Sequence, residues 1–443
     1  MIRRPSQSGL VLLSVLLGAA PALAAAPTVL DGARLFDGRQ VIPDSRIVIE
    51  GGRIAAAGPR ATTPLPPGTT SQNVSGQTII PGLIAAHSHV GMVSGTDMGG
   101  QNYTRETVER DLAQFQRFGV VAVNALGMNR PLFHQLRREW AGGNPTGADL
   151  YGAGAGVGAI DGAPPAAMNP LADQVDRPAT AEAARAAVNR MADAGIDMVK
   201  IWVDGFGGAA PKLSPDVYRA AIAQAHARGL KAAAHIHDLA DAKAVVEAGA
   251  DIVGHGVRDQ PVDQPFIDLL LKHGAWYIAT VNINEAEYIY AQHPEWLEDP
   301  VFKAALNPAL EARLRDPEWR KAALAKADNS RRQVSTNIEN LRRIHAAGVK
   351  IALGTDSGAT PLRIPGFAEH LELGHMVAAG MTPVQALTVG TRNGAELLGA
   401  SDRGCLWQGC RADLLILLAD PTTDIAASRS IREVWRNGRP VPR

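Results

Sequence analysis

Two histidines, His87 and His89, close the apolar stretch Pro81-Gly82-Leu83-Ile84-Ala85-Ala86. On a β-strand, residues i and i+2 project to one face, so both imidazoles can aim at one point. Imidazole is the commonest protein ligand for zinc-like ions. Taken alone, the pair fits two half-exposed histidines at a strand end equally well. Four later stretches repeat the pattern. Lys200 lies inside Asp197-Met198-Val199-Lys200-Ile201-Trp202-Val203, and His235 and His237 end Ala232-Ala233-Ala234-His235-Ile236-His237. His255 ends Ile252-Val253-Gly254-His255, and Asp356 ends Ile351-Ala352-Leu353-Gly354-Thr355-Asp356. A lysine inside a buried strand is costly unless it is paired, chemically altered or able to snorkel to the edge. An ammonium has no lone pair for a metal. Carbamylated by CO2, the same side chain carries a carboxylate that can bridge two cations.

These residues need a scaffold that brings strand ends together. Apolar strands are predicted over 83–89, 120–124, 150–155, 198–203, 232–237, 252–255, 276–281 and 350–355, alternating with Ala-rich helical stretches such as 181–194, 215–228 and 240–248. Alternation of this kind is the pattern of βα units around a parallel sheet, and eight of them match a closed (β/α)8 barrel. In such a barrel the C-terminal strand ends converge on one face, where active sites sit. His134, His226, His273, His293 and His345 fall in helical or loop contexts and read as surface residues. The longest connection, 282–347, follows the seventh strand and either shapes a pocket or forms a solvated helical hairpin. The two chain ends are short-stranded and turn-rich, and are expected to pair into one small β-sandwich domain. The expected division is therefore a leader at 1–24, a β-domain from 25–80 and 400–443, and a barrel over 81–399. The Gly152–Gly158 stretch contains Gly-x-Gly-x-x-Ala, but Asp161-Gly162-Ala163-Pro164-Pro165 follows it where a dinucleotide site needs a helix. It reads as a loop near the active site.

The order His-x-His, Lys, His, His, Asp at successive strand ends resembles the amidohydrolase superfamily, in its imidazolonepropionase-like and prolidase-like branch. The flanking text agrees: Ile79-Ile80-Pro81-Gly82-Leu83-Ile84, Val199-Lys200-Ile201, Gly254-His255-Gly256, Leu353-Gly354-Thr355-Asp356-Ser357-Gly358, and Thr391-Arg392-Asn393-Gly394-Ala395-Glu396-Leu397-Leu398-Gly399. The resemblance implies two divalent metal ions, zinc by preference. His87 and His89 would hold one and His235 and His255 the other. Carbamylated Lys200 and a hydroxide would bridge them, and Asp356 would bind the first ion and shuttle the proton. His237 matches a position that faces substrate. The chain departs from the family pattern at Ala85, where an aspartate is usual, at Val123-Asn124-Ala125, where Val-Arg-Asp is common, and at residues 158–162, which lack a substrate-contacting histidine.

Composition bounds the rest. The chain has 443 residues, 46% of them hydrophobic, with 44 basic and 44 acidic side chains. That balance gives no reason to expect nucleic acid as a partner. Arg3 and Arg4, the apolar run 9–20 and Ala22-Leu23-Ala24 form a signal-peptide pattern. The run is short for a membrane span, so no stable membrane anchor is expected and the mature chain should be periplasmic or secreted. A homo-oligomer is compatible with everything above. Cys405 and Cys410 are the two cysteines; a bridge between them and two free thiols both stand open. The expected activity is hydrolysis of an amide or peptide C–N bond in a small molecule, of the dipeptide or N-acyl amino acid type. The same site acting on a lactone, ester or cyclic amide is the alternative. A metal- or carbohydrate-binding protein without turnover is the remote one.

Overall fold

Eight apolar segments form the parallel strands that the alternating pattern predicts: β1 (Leu83–Ser88), β2 (Val120–Leu126), β3 (Asp149–Ala153), β4 (Met198–Trp202), β5 (Lys231–His235), β6 (Ile252–Gly254), β7 (Trp276–Ile278) and β8 (Lys350–Ile351). The structure is a computed structural model describing residues 26–166, 168 and 171–442. The leader read at 1–24 lies outside the described residues. Strands β1 to β3 pair in parallel, as do β4 to β8. Two irregular seams close the ring. Between β3 and β4, Asp197 N donates to Gly152 O at 3.0 Å, and Val157 N to Lys200 O at 2.8 Å. Between β8 and β1, Ala86 N donates to Leu353 O at 2.7 Å, Thr355 N to His87 O at 3.0 Å, and His89 N to Ser357 O at 2.7 Å.

The eighth strand is regular over two residues only, shorter than the 350–355 expected. Past Ile351 the chain hugs β1 so closely that a Cβ on Gly354 would sit 2.6 Å from the Cβ of His87. The glycine-rich stretch after β3 has the same explanation. A Cβ on Gly156 would meet the Trp202 ring at 2.4 Å, so the loop can lie against β4 only with glycine there. Around the ring, helices such as Ala181–Asp193 turn an apolar face inward through Ala184, Ala187, Val188 and Met191. The segment 282–347 is largely helical and ends in the helix Ala327–Ala346.

Strands from both chain ends share one mixed sheet of eight. Thr28–Phe36, Val41–Glu50, Arg53–Pro59, Ser71–Asn73 and Thr78–Pro81 join Leu414–Leu417, Ile431–Arg436 and Arg439–Val441 through the antiparallel pairing of Ile80 with Leu415. This domain has its own core, including Leu30, Leu35, Ile47, Ile79, Leu414 and Trp435. Cys405 and Cys410 are bonded there, with Cα atoms 6.0 Å apart.

A buried ionic cluster joins this domain to the barrel. Asp149, the first residue of β3, accepts from Arg436 Nη2 at 2.8 Å and Arg411 Nη2 at 2.6 Å, and also pairs with Arg403. Arg411 pairs in turn with Asp413, whose Oδ1 accepts from Asn437 N at 2.8 Å. The three guanidinium groups hold the Asp149 carboxyl below the ordinary carboxylate range, against a burial effect that alone would raise it. Removing one partner from a buried cluster strands the others without compensation. Asp149→Asn should therefore cost about 3–5 kcal/mol, measured by urea denaturation of the purified chain. An unchanged midpoint would mean that water or rearrangement compensates the arginines.

Candidate metal centre

Six side chains read from the sequence meet at the C-terminal end of the barrel. His87, near the end of β1, is fully buried; its Nε2 lies 3.4 Å from Lys200 Nζ and 3.4 Å from Asp356 Oδ1. His89 Nε2 reaches the same Asp356 oxygen at 3.0 Å. Lys200 projects from the middle of β4 and is 1% exposed. The His255 ring sits between those of His87 and His235, with centroids 4.5 Å and 4.4 Å away. Ligand atoms of His87, His89 and Asp356 all lie within 4.8 Å of one another. His237 stands apart from this group. Its Nδ1 is 2.7 Å from Asp238 Oδ1, and Gln333 Nε2 lies 3.4 Å from its Nε2, so it lines the cavity rather than joining the cluster.

The strand ends are bent to achieve this. His255, Thr280 and Asp356 follow β6, β7 and β8, and all have positive φ, at 81°, 45° and 59°. Non-glycine residues rarely occupy that region, and each such residue typically costs about 1–3 kcal/mol. The bends are held by hydrogen bonds. Thr280 Oγ1 lies 2.9 Å from His255 Nδ1. Glu369, fully buried, accepts from Thr355 Oγ1 at 2.6 Å, Ser357 Oγ at 2.7 Å and Gly366 N at 2.7 Å, fixing the turn that carries Asp356.

Burial decides the protonation states. It pushes His87 down to about 3, helped by Lys200 and opposed by Asp356. It lowers His235 to about 4 despite the Asp204 hydrogen bond at 3.0 Å, and it holds His255 well below its usual value. Lys200 falls to about 7 for the same reason, with Asp356 opposing. Burial would raise Asp356, but Arg363, His87 and His89 together keep it well below the usual carboxylate range. Neutral imidazoles with free lone pairs beside an ionised carboxylate are the donor set that divalent zinc-like ions take. The buried Nδ1 atoms of His87 and His89 also lack partners among the described residues. The residues present therefore fit such an ion.

Several participants were missed in the sequence, and only one of them carried a readable signal. Asp204, which orients His235, lies two and four residues beyond Trp202 and Lys200, so the period-2 pattern of β4 carried on past its end would have found it. Arg363 grips Asp356 Oδ2, and Arg258 lines the cavity, but both sit in loops with no periodicity to mark them. Glu369 lies in the helix Phe367–Ala378, where a charged residue reads as surface. Of the histidines read as surface residues, His226 and His273 are exposed, while His134, His293 and His345 are half-buried, His134 packed edge-on against Phe133 at 5.2 Å. The cavity over the cluster is about 480 Å³ and is walled by barrel loops together with Ile283, Asn284, Glu287 and Gln333 from the 282–347 connection.

A barrel of eight parallel strands with this cluster at its mouth and an appended β-domain defines the class. The chain belongs to the amidohydrolase family, whose model matches residues 78–441. It is 39% identical over 104 residues to the imidazolonepropionase of Deinococcus deserti, covering 23% of this chain and 26% of that protein. It is 27% identical over 234 residues to the ochratoxinase of Aspergillus niger, covering 52% of this chain and 41% of that one. The chain thus spans well under two thirds of these curated relatives. A putative prolidase from Bifidobacterium longum superposes with a TM-score of 0.74 at 25% identity, covering 95% of both chains.

The depressed histidines predict how the metal-free protein responds to acid. Their folded-state values lie below the ordinary value of 6.5, so the unfolded chain binds more protons between about 3 and 6.5. Stability should fall as pH drops from 7 toward 4. Urea midpoints of chelator-treated protein across that range should show it, with a shallower slope in His87→Gln. A flat profile would mean that these imidazoles are hydrated in solution.

Proposed function

We propose that this chain is an exported metal-dependent hydrolase that cleaves an amide or peptide C–N bond in a small molecule of the dipeptide or N-acyl amino acid type. The observation that carries the reading is the convergence of neutral buried imidazoles, Lys200 and ionised Asp356 at the floor of one cavity. Likeness to a putative prolidase supports a peptide-like amide. Export rests on the signal-peptide pattern at 1–24. Among the described residues no helix is long and apolar enough to cross a membrane.

His87, His89 and Asp356 would hold one divalent cation and His235 and His255 a second, with zinc favoured by the imidazole-rich donor set. Bound there, such ions supply Lewis acidity, lowering the pKa of water and polarising a carbonyl. Lys200 would be carbamylated. Its amine, lowered to about 7, is substantially neutral at physiological pH. The nitrogen lone pair would form the N–C bond to CO2 and one proton would leave to solvent, giving an anionic carbamate able to serve as a metal ligand. Arg363 ties down one Asp356 oxygen, leaving Oδ1 directed at the histidines. That oxygen takes a proton from the attacking water and delivers it to the leaving nitrogen, which must be protonated before the C–N bond can break. Asp204 orients the His235 ring, and His237 contacts substrate from the cavity wall.

The test combines metal analysis with a hydrolysis screen of dipeptides, N-acyl amino acids, lactones and esters. About two zinc-like ions per chain and amide turnover are expected. Absence of both would sink the reading. Asp356→Asn should lower kcat at least ~10²-fold, the usual scale for a lost general base. Lys200→Ala should lose metal as well as activity, and short carboxylic acids should restore part of the rate. Full activity in Lys200→Ala would reduce the lysine to a structural role. N-terminal sequencing of the exported fraction tests cleavage near Ala25.

A further inference from the structure

Arg258 is a buried cation that makes no ion pair among the described residues, although Asp204 and Asp356 act on it from a distance. It lines the cavity above the metal centre and only 6% of the residue is exposed. Its Nη1 donates to Gly256 O at 3.0 Å, and its backbone N to His237 O at 3.1 Å, which anchors it to the end of β5. Its Nε is buried with no partner, and it makes no ion pair among the described residues. The other charges of the cavity are already committed. Asp204 is engaged by His235, Asp356 by Arg363 and His89, and Glu287 by the Ser330 hydroxyl. Burial lowers the Arg258 guanidinium to about 10, still protonated at neutral pH.

A buried guanidinium normally has an anion, because desolvation is uncompensated without one. Its planar fork matches a carboxylate or a phosphate bidentately, and of these the carboxylate is the group that substrates of the dipeptide or N-acyl amino acid type carry. Met128, Trp202, Phe206 and Ile283 add apolar surface to the same wall. We infer that Arg258 recognises a carboxylate of the substrate, so that the site selects amides bearing a free acid over neutral amides, lactones and esters. The inference rests on the reading of this cavity as the active site. It makes Arg258 a specificity residue, with no part in moving protons.

The test compares apparent affinities. Metal-loaded wild type is titrated with two matched pairs, by calorimetry for a member it does not cleave and by KM for one it does: glycyl-L-phenylalanine and its C-terminal amide, and N-acetyl-L-methionine and its amide. In at least one pair the acid should bind roughly 10-fold or more tighter than the amide, the direction expected when a site's buried polar group would otherwise be left unpaired. Arg258→Met should bring that ratio close to one, with amide affinity and metal content unchanged. Arg258→Lys should retain part of the preference, since it keeps the charge but loses the fork. Equal affinity for acid and amide in wild type, or failure of both acids to bind, would overturn the inference without needing a folded variant. So would an undiminished preference in Arg258→Met. Acid binding without hydrolysis would sink the hydrolase proposal and leave the carboxylate subsite standing.

Discussion

The mouth of this barrel depends on keeping six polar side chains dry without burying uncompensated charge. Burial disfavours imidazolium and ammonium, so it strips protons from His87, His235 and His255 and leaves Lys200 only partly protonated at neutral pH. The carboxylate of Asp356 keeps its charge only because Arg363 and the flanking histidines stabilise it. Desolvation that would be a liability in a binding surface here prepares lone pairs. A cation arriving at such a site meets ligands that need not release protons first, which ties metal affinity to the packing of the strands beneath.

That packing explains the bent strand ends. The residues that carry chemistry must leave the ladder to face one another, and His255, Thr280 and Asp356 do so at positive φ. Strain of this size persists only where the surroundings fix it. Glu369 fixes one turn through the hydroxyls of Thr355 and Ser357 and the Gly366 amide. Glu372 fixes the next, accepting from Val281 N at 2.8 Å and Asn282 N at 3.0 Å just beyond β7. Both acids come from one helix, Phe367–Ala378, so a single element behind the barrel secures two of the loops around the cavity.

The sequence made the barrel legible because its signal is repetitive: apolar strands, Ala-rich helices, and polar residues at or just beyond several of the strand ends. His87 and His89 announced themselves by period-2 spacing, and Lys200 by its cost inside an apolar strand. What escaped lay mostly in the turns and loops between the periodic elements. Arg258 and Arg363 sit in irregular loops where no period marks a buried role, and no spacing rule relates Glu369 to Thr355 and Ser357 across a turn. The glycines of 152–158 resemble a phosphate loop, but the turn-forming 161–165 stretch after them already favoured a loop near the active site. Gly156 serves instead to let the backbone pass the Trp202 ring. The irregular course of 352–357 was equally hidden, because it reflects the crowding of Gly354 on His87 and not any preference of the residues themselves.

The two ends of the barrel divide the labour. Asp149 opens β3 at the end away from the metal centre, where it takes Arg436, Arg411 and Arg403 of the β-domain. Those contacts cross from one domain to the other and involve no residue of the cavity. A barrel generally holds its stability at the N-terminal face and its chemistry at the C-terminal face. Here the β-domain, built from both termini, clamps the first of these and so relieves the second of structural duty. Strained backbone, partly neutral lysine and unpaired arginine can then coexist at the other face, because the free energy that keeps the chain folded is secured elsewhere.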